Sequence, residues 1–105
     1  MTIQWTEFAS GRLKEIFSYY KKEAGLAVAR KLVQEIIDAT IVLGTNPELG
    51  QTEPLLSQRP QEFRYLVCRH YKVIYWSDRE QERVVIVHVF DCRQNPTKMS
   101  IQHRT

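Results

Sequence analysis

Apolar positions recur along this chain in two different rhythms, and the change between them divides it into a helical half and a strand half. A short alternating stretch, Ile3 to Trp5, predicts an edge strand. Thr6 then stands where a helix N-cap is expected, with Glu7 placed where the helix dipole favours an anion. From there Ala9, Leu13, Ile16, Phe17 and Tyr20 follow i, i+3, i+4, i+7 intervals and fall on one helical face. Gly25 breaks the pattern and permits a tight turn. A second helix repeats the period at Ala29, Leu32, Val33, Ile36, Thr40 and Leu43, while Arg30, Lys31, Gln34, Glu35 and Asp38 are turned to solvent. Gly44 is the expected C′ residue and Pro47 forbids continuation. Each helix runs for about four or five turns. The short link between them predicts an antiparallel hairpin.

Residues 44–61 carry three prolines and little periodicity. A connection this long inside a compact domain is usually functional or packed against something, and this one is expected to cross an end of the sheet. Beyond it the period drops to two. Phe63 to Arg69 and Tyr71 to Trp76 alternate about a tight Arg69-His70 link. The polar run Asp78 to Arg83 makes the next turn, and Val84 to Phe90 is a near-continuous β-branched strand. That last strand is apolar on both faces, so it should be central or covered on both sides. The fold class is therefore α+β: an N-terminal edge strand and a helical hairpin packed on an antiparallel sheet, with a C-terminal three-stranded meander ending in the basic segment Cys92 to Pro96.

Bulk properties narrow the function classes. A chain of 105 residues, 43% hydrophobic and 26% charged, is read as one globular domain over residues 1–105. No apolar run approaches the roughly 20 residues that cross a bilayer, and the N-terminus lacks the basic and apolar regions of a signal peptide. A cytoplasmic protein without a membrane partner is the expectation. The formal net charge is +3, with six basic and five acidic groups in residues 1–45 and nine and seven in the rest. Charge so evenly spread is that of an ordinary solvated surface rather than a nucleic-acid footprint. One local excess stands out: Arg59, Arg64, Arg69 and Lys72 against the single acid Glu62 between Arg59 and Trp76. Two cysteines, Cys68 and Cys92, are too few for a disulfide framework. With His70 and His88 they bring zinc to mind, but the spacings are those of no finger or ribbon. His88 reads more simply as a strand histidine with a hydrogen-bond partner.

The order of these pieces resembles the RelE/ParE superfamily of type II toxin–antitoxin toxins. Trp5-Thr6-Glu7-Phe8-Ala9, then Leu13, Ile16 and Tyr20, then Ala29 to Ile36 match the helical half. Leu43-Gly44-Thr45-Asn46-Pro47-Glu48-Leu49-Gly50 is similar to the L-x-x-N-P-x-x-G stretch of ParE-like members. Phe63-Arg64-Tyr65, Tyr71 to Tyr75, Val84 to Phe90 and Arg93 carry the sheet signature. The resemblance implies a toxin held inactive by a cognate antitoxin that lays an extended or helical segment over it. ParE-like members poison DNA gyrase; RelE-like members cut messenger RNA in the ribosome without a metal. Neither reading needs a cofactor.

Cleavage by 2′-hydroxyl attack requires a base, charge stabilisation at the phosphate and an acid for the leaving oxygen. Lys72, after Tyr71, stands where the RelE-like branch has an arginine, and Arg93 matches another. Arg64 is a third candidate, so Arg64, Lys72 and Arg93 form the expected functional basic cluster. The C-terminal tyrosine of the RelE-like branch is absent: Met99 occupies the region, and His103 does not match the pattern. The same basic residues also suit an ordinary solvated sheet face. Tyr71, Tyr75 and Trp76 beside Lys72 suggest a stacking platform or an antitoxin floor, although such aromatics are more often half-buried sheet packing. The favoured reading is a ParE-like gyrase poison. A RelE-like ribosome-dependent endonuclease, and an inactive member serving as a binding module, are the alternatives.

Overall fold

The computed structural model describes residues 1–94. Its elements are β1 (Thr2–Trp5), α1 (Glu7–Ala24), α2 (Leu26–Ile41), β2 (Gln51–Thr52), β3 (Arg64–Cys68), β4 (Tyr71–Asp78) and β5 (Arg83–Asp91), with 3₁₀ turns at Val42–Gly44 and Pro54–Leu56. The strands form one sheet in the order β1-β5-β4-β3-β2. The meander expected from the alternating half is β3-β4-β5, all antiparallel. Two additions make it a mixed five-stranded sheet. β1 lies on one edge and runs parallel to β5. β2, only two residues inside the long connection, pairs antiparallel with β3 on the other edge. Two residues carry no period, so nothing in the hydrophobic pattern marks β2.

The helices begin and end for local reasons. Thr6 is extended, and its Oγ1 accepts the Ala9 amide at 3.1 Å, which satisfies one of the first-turn donors. Lys21 and Lys22 close α1 at the end where the dipole favours cations. The hairpin link is Gly25 alone. Its φ of 101° is open to glycine at little cost, and its amide returns to Tyr20 O at 3.0 Å. Gly44 does not act as a left-handed cap. α2 stops at Ile41 and tightens into the 3₁₀ turn, with the Thr45 and Asn46 amides both donating to Val42 O.

Both faces of the sheet are buried. On the helix side Ala9, Ile16, Leu32 and Ile36 close over Tyr71, Val73, Tyr75, Val84, Ile86 and Val89. On the second side Leu56 and Phe63 meet Ile74, Val85, Val87 and Phe90. Every residue from Val84 to Phe90 is buried, which explains why that strand is apolar throughout. A bulge between Ile74 and Tyr75 sets the faces: Tyr75 pairs with Ile86 and Ile74 with His88, so Val87 is skipped. The alternation is reset there, and both Ile86 and Val89 reach the helix side.

The connection after α2 is tied to the sheet. Tyr75 Oη donates to Pro47 O at 2.8 Å and accepts the Gly50 amide at 2.9 Å. A Cβ on Gly50 would stand 2.6 Å from both Tyr75 Oη and Tyr65 O, so the close approach of backbone to ring leaves room only for glycine. The Asn-Pro-x-x-Gly stretch thus has a physical role: it lays the chain against the end of the sheet.

Candidate functional site

The three basic residues singled out by sequence are not brought together. Arg64 opens β3 on the helix side, in register with Tyr75. Its Nη1 donates to Gly50 O at 2.9 Å and, more weakly, to Glu48 O at 3.4 Å, while Nη2 pairs with Glu62 at 2.6 Å. Lys72 points from the opposite face, where Ile74 and Trp76 also project. Its Nζ lies 2.9 Å from Glu53 Oε2 and 4.2 Å from the centroid of the Tyr65 ring, in cation–π geometry. Both side chains are therefore engaged in holding the 45–62 connection.

Arg93 sits apart, just beyond β5. Its Nε and Nη2 grip Asp91 at 3.1 and 2.9 Å, and its amide donates to the same carboxylate at 2.9 Å. The fork geometry fits a carboxylate in both positions at once. It holds Asp91 below the usual carboxylate range, chiefly through the Arg93 hydrogen bond. Asn95, Pro96, Met99 and His103 lie outside the described residues.

Arg93 lines a cleft of about 420 Å³ between α1 and the ends of β4 and β5, with Arg12, Glu15, Tyr19, Tyr71, Asp91 and Gln94. Arg12 pairs with Glu15 one turn on. Tyr71 is pushed up from its ordinary value mainly by burial, then by its hydrogen bond with Tyr20, which also reaches His70 Nε2 at 3.3 Å. Arg12 and Tyr19 were missed from sequence. The available signal was their spacing: 12, 15 and 19 form a polar stripe beside the apolar face of α1. The cleft offers two guanidiniums, each matched to a carboxylate, and an exposed tyrosine.

Among the described residues the remaining histidine and cysteines do not form an acid–base pair. His88 is buried on β5, edge-on to Phe8 and Phe90, with ring centroids 5.0 and 5.7 Å away. Burial, and secondarily Arg12, lower it from 6.5 to about 4, so it is neutral near pH 7. The expected hydrogen-bond partner is missing at Nδ1 among the described residues. Cys68 and Cys92 are free thiols, both raised chiefly by burial. Among the described residues no group of three or more His, Cys, Asp or Glu side chains converges as a metal site. Tyr71 and Tyr75 are buried on the helix side and Trp76 lies on the other, so the aromatics form no shared platform.

A second feature is larger and apolar. Trp5, Leu13, Phe17, Val33 and Ile37 line a groove of about 750 Å³ between the two helices, with Lys14 the one charged side chain among the described residues on its wall. Leu13 and Phe17 belong to the periodic face of α1, yet it is Ala9 and Ile16 that bury fully. The apolar stripe is wider than the sheet covers. No helix among the described residues is long and apolar enough to cross a membrane.

Comparison with known proteins fits this architecture. No curated protein matches the chain in sequence. A solved structure described as the chromosomal ParDE TA system from P. aeruginosa superposes with a TM-score of 0.72 at 22% identity, covering 87% of this chain and 95% of that one. The helical hairpin on a mixed sheet is thus a fold shared with that system. The family model described as the ParE toxin of the type II toxin–antitoxin system, parDE, matches residues 3–96. A match across so much of the sequence, on a fold of the same topology, places this chain in the ParE toxin family of type II toxin–antitoxin systems.

Proposed function

We propose that this ParE-family toxin arrests bacterial growth by poisoning DNA gyrase in the cytoplasm, not by cutting RNA. The observation that carries the choice is the separation of the basic trio. Phosphodiester cleavage needs its cations and proton donors around one phosphate. Here Arg64 and Lys72 project from opposite faces of the sheet, each committed to the 45–62 connection, and Arg93 stands in a different cleft. Of the three, Arg93 is the residue assigned to target contact, together with Arg12 and Tyr19 on the same cleft. Arg64 and Lys72 are positioning residues.

The apolar groove between the helices is assigned to the cognate antitoxin. Among the described residues its wall carries Lys14 and no carboxylate, so the complement is an amphipathic segment with an apolar stripe and acidic flanks. Covering such a groove removes apolar surface from water, which drives association.

Induction in cells decides the mechanism. Trapped gyrase–DNA breaks with intact transcripts are expected; cuts at fixed codon positions in ribosome-bound message would move the protein to the nuclease branch. Growth that continues unaffected would make it an inactive binding module. Phe17→Asp is expected to keep the toxicity and escape neutralisation by the antitoxin.

A further inference from the structure

The connection between α2 and β3 is fastened in two different ways. Its first part, around Pro47 to Gly50, is held by Tyr75 Oη and the Arg64 guanidinium on peptide groups. Its second part is held through Glu53. The Glu53 side chain has no exposed surface, whereas Lys72, its partner at 2.9 Å, retains 23% of its own. Glu53 is also a local knot. Its amide donates to Phe63 O at 2.8 Å, its Oε1 accepts the Leu55 amide at 3.2 Å, and its carbonyl accepts the Leu56 amide at 3.2 Å. The 3₁₀ turn that follows carries Leu56 onto Phe63, Ile74 and Val85.

We propose that Glu53 and Lys72 form a latch that holds residues 53–61 over the second face of the sheet. In this reading Lys72 acts on function through that segment and touches no target. The physical basis is an asymmetry. A buried carboxylate stripped of its counter-charge is costly, whereas a partly exposed ammonium stripped of its carboxylate turns to water. Loss of Lys72 therefore opens the segment, and loss of the Glu53 charge does not. Opening is local because the first part of the connection keeps its own fasteners and β4 and β5 keep their ladder.

Amide hydrogen exchange on the purified protein tests this in four variants. In Lys72→Met the Leu55, Leu56 and Ser57 amides should exchange at least about tenfold faster, with β4 and β5 unchanged. A dye that reports exposed apolar surface should brighten in the same variant. Lys72→Arg and Glu53→Gln should stay within about threefold of the parent, and the Lys72→Met/Glu53→Gln pair should return to the Glu53→Gln level. The latch is overturned if Lys72→Met leaves these amides protected, if the double variant exchanges as fast as Lys72→Met, or if strands and segment open together. Should Lys72→Met not fold, the double variant decides: parent-like protection supports the latch, and failure to fold overturns it. These readouts concern the fold and hold whichever target the toxin attacks.

Discussion

The two faces of the sheet are closed by different means. On the helix side, aliphatic side chains at helical spacing meet strand side chains that are aliphatic apart from Tyr71 and Tyr75, and packing supplies most of the closure. Ile36, Val73, Val84 and Ile86 have no exposed surface there. On the second side the described cover is a short 3₁₀ turn set in place by Glu53 and Lys72, and the strand beneath it includes a buried histidine. The first face depends on packing, which tolerates wide changes of pH and salt. The second contains titratable and charged groups whose burial is conditional on partners.

The largest expected effect tests the packed face. Ile36→Ala removes buried methyl groups from the centre of α2 and should cost about 2–5 kcal/mol in denaturant unfolding. A loss below about 1 kcal/mol would mean that the hairpin is loosely seated. Next comes acid. His88 is held at about 4 in the fold against 6.5 for a free imidazole, so the unfolded chain takes up the proton first. Its contribution is fully present above pH 6.5 and is lost as pH falls through 6.5 towards 4, by about 3 kcal/mol at 1.36 kcal/mol per unit. His88→Phe should flatten the stability profile in that window. An unchanged profile would show that the imidazole reaches water in solution. The smallest structural effect is expected at Arg93, exposed and paired within two residues. Arg93→Gln should leave the unfolding midpoint where it is while raising the inducer dose needed for growth arrest. A shifted midpoint with unchanged toxicity would reverse that assignment.

Much of the helix side was legible because it rests on period. Ala9, Ile16, Leu32 and Ile36 are core residues that a 3.6-residue repeat predicts, and Thr6 caps α1 as its side chain allows. The same repeat also selected Leu13 and Phe17, which line the open groove. Periodicity shows which face is apolar but not how far the neighbouring layer reaches. The basic trio shows the limit for a candidate site. Arg64 and Lys72 look equivalent as charged residues on successive strands, yet the alternation within each strand and the pairing between them send one to each face.

The sequence by itself determined the helical hairpin with its turn at Gly25, the three-stranded meander, and the need to bury the last strand on both sides. These follow from intervals of a few residues, where local chemistry is decisive. Only the tertiary structure decided that β1 joins the last strand in parallel, that a bulge at Ile74 and Tyr75 resets the faces, and that Glu53 is buried against Lys72. Each of those depends on residues eleven or more positions apart meeting in one register. A buried charge pair has no period, and its partner is chosen by the fold rather than by its neighbours in the chain.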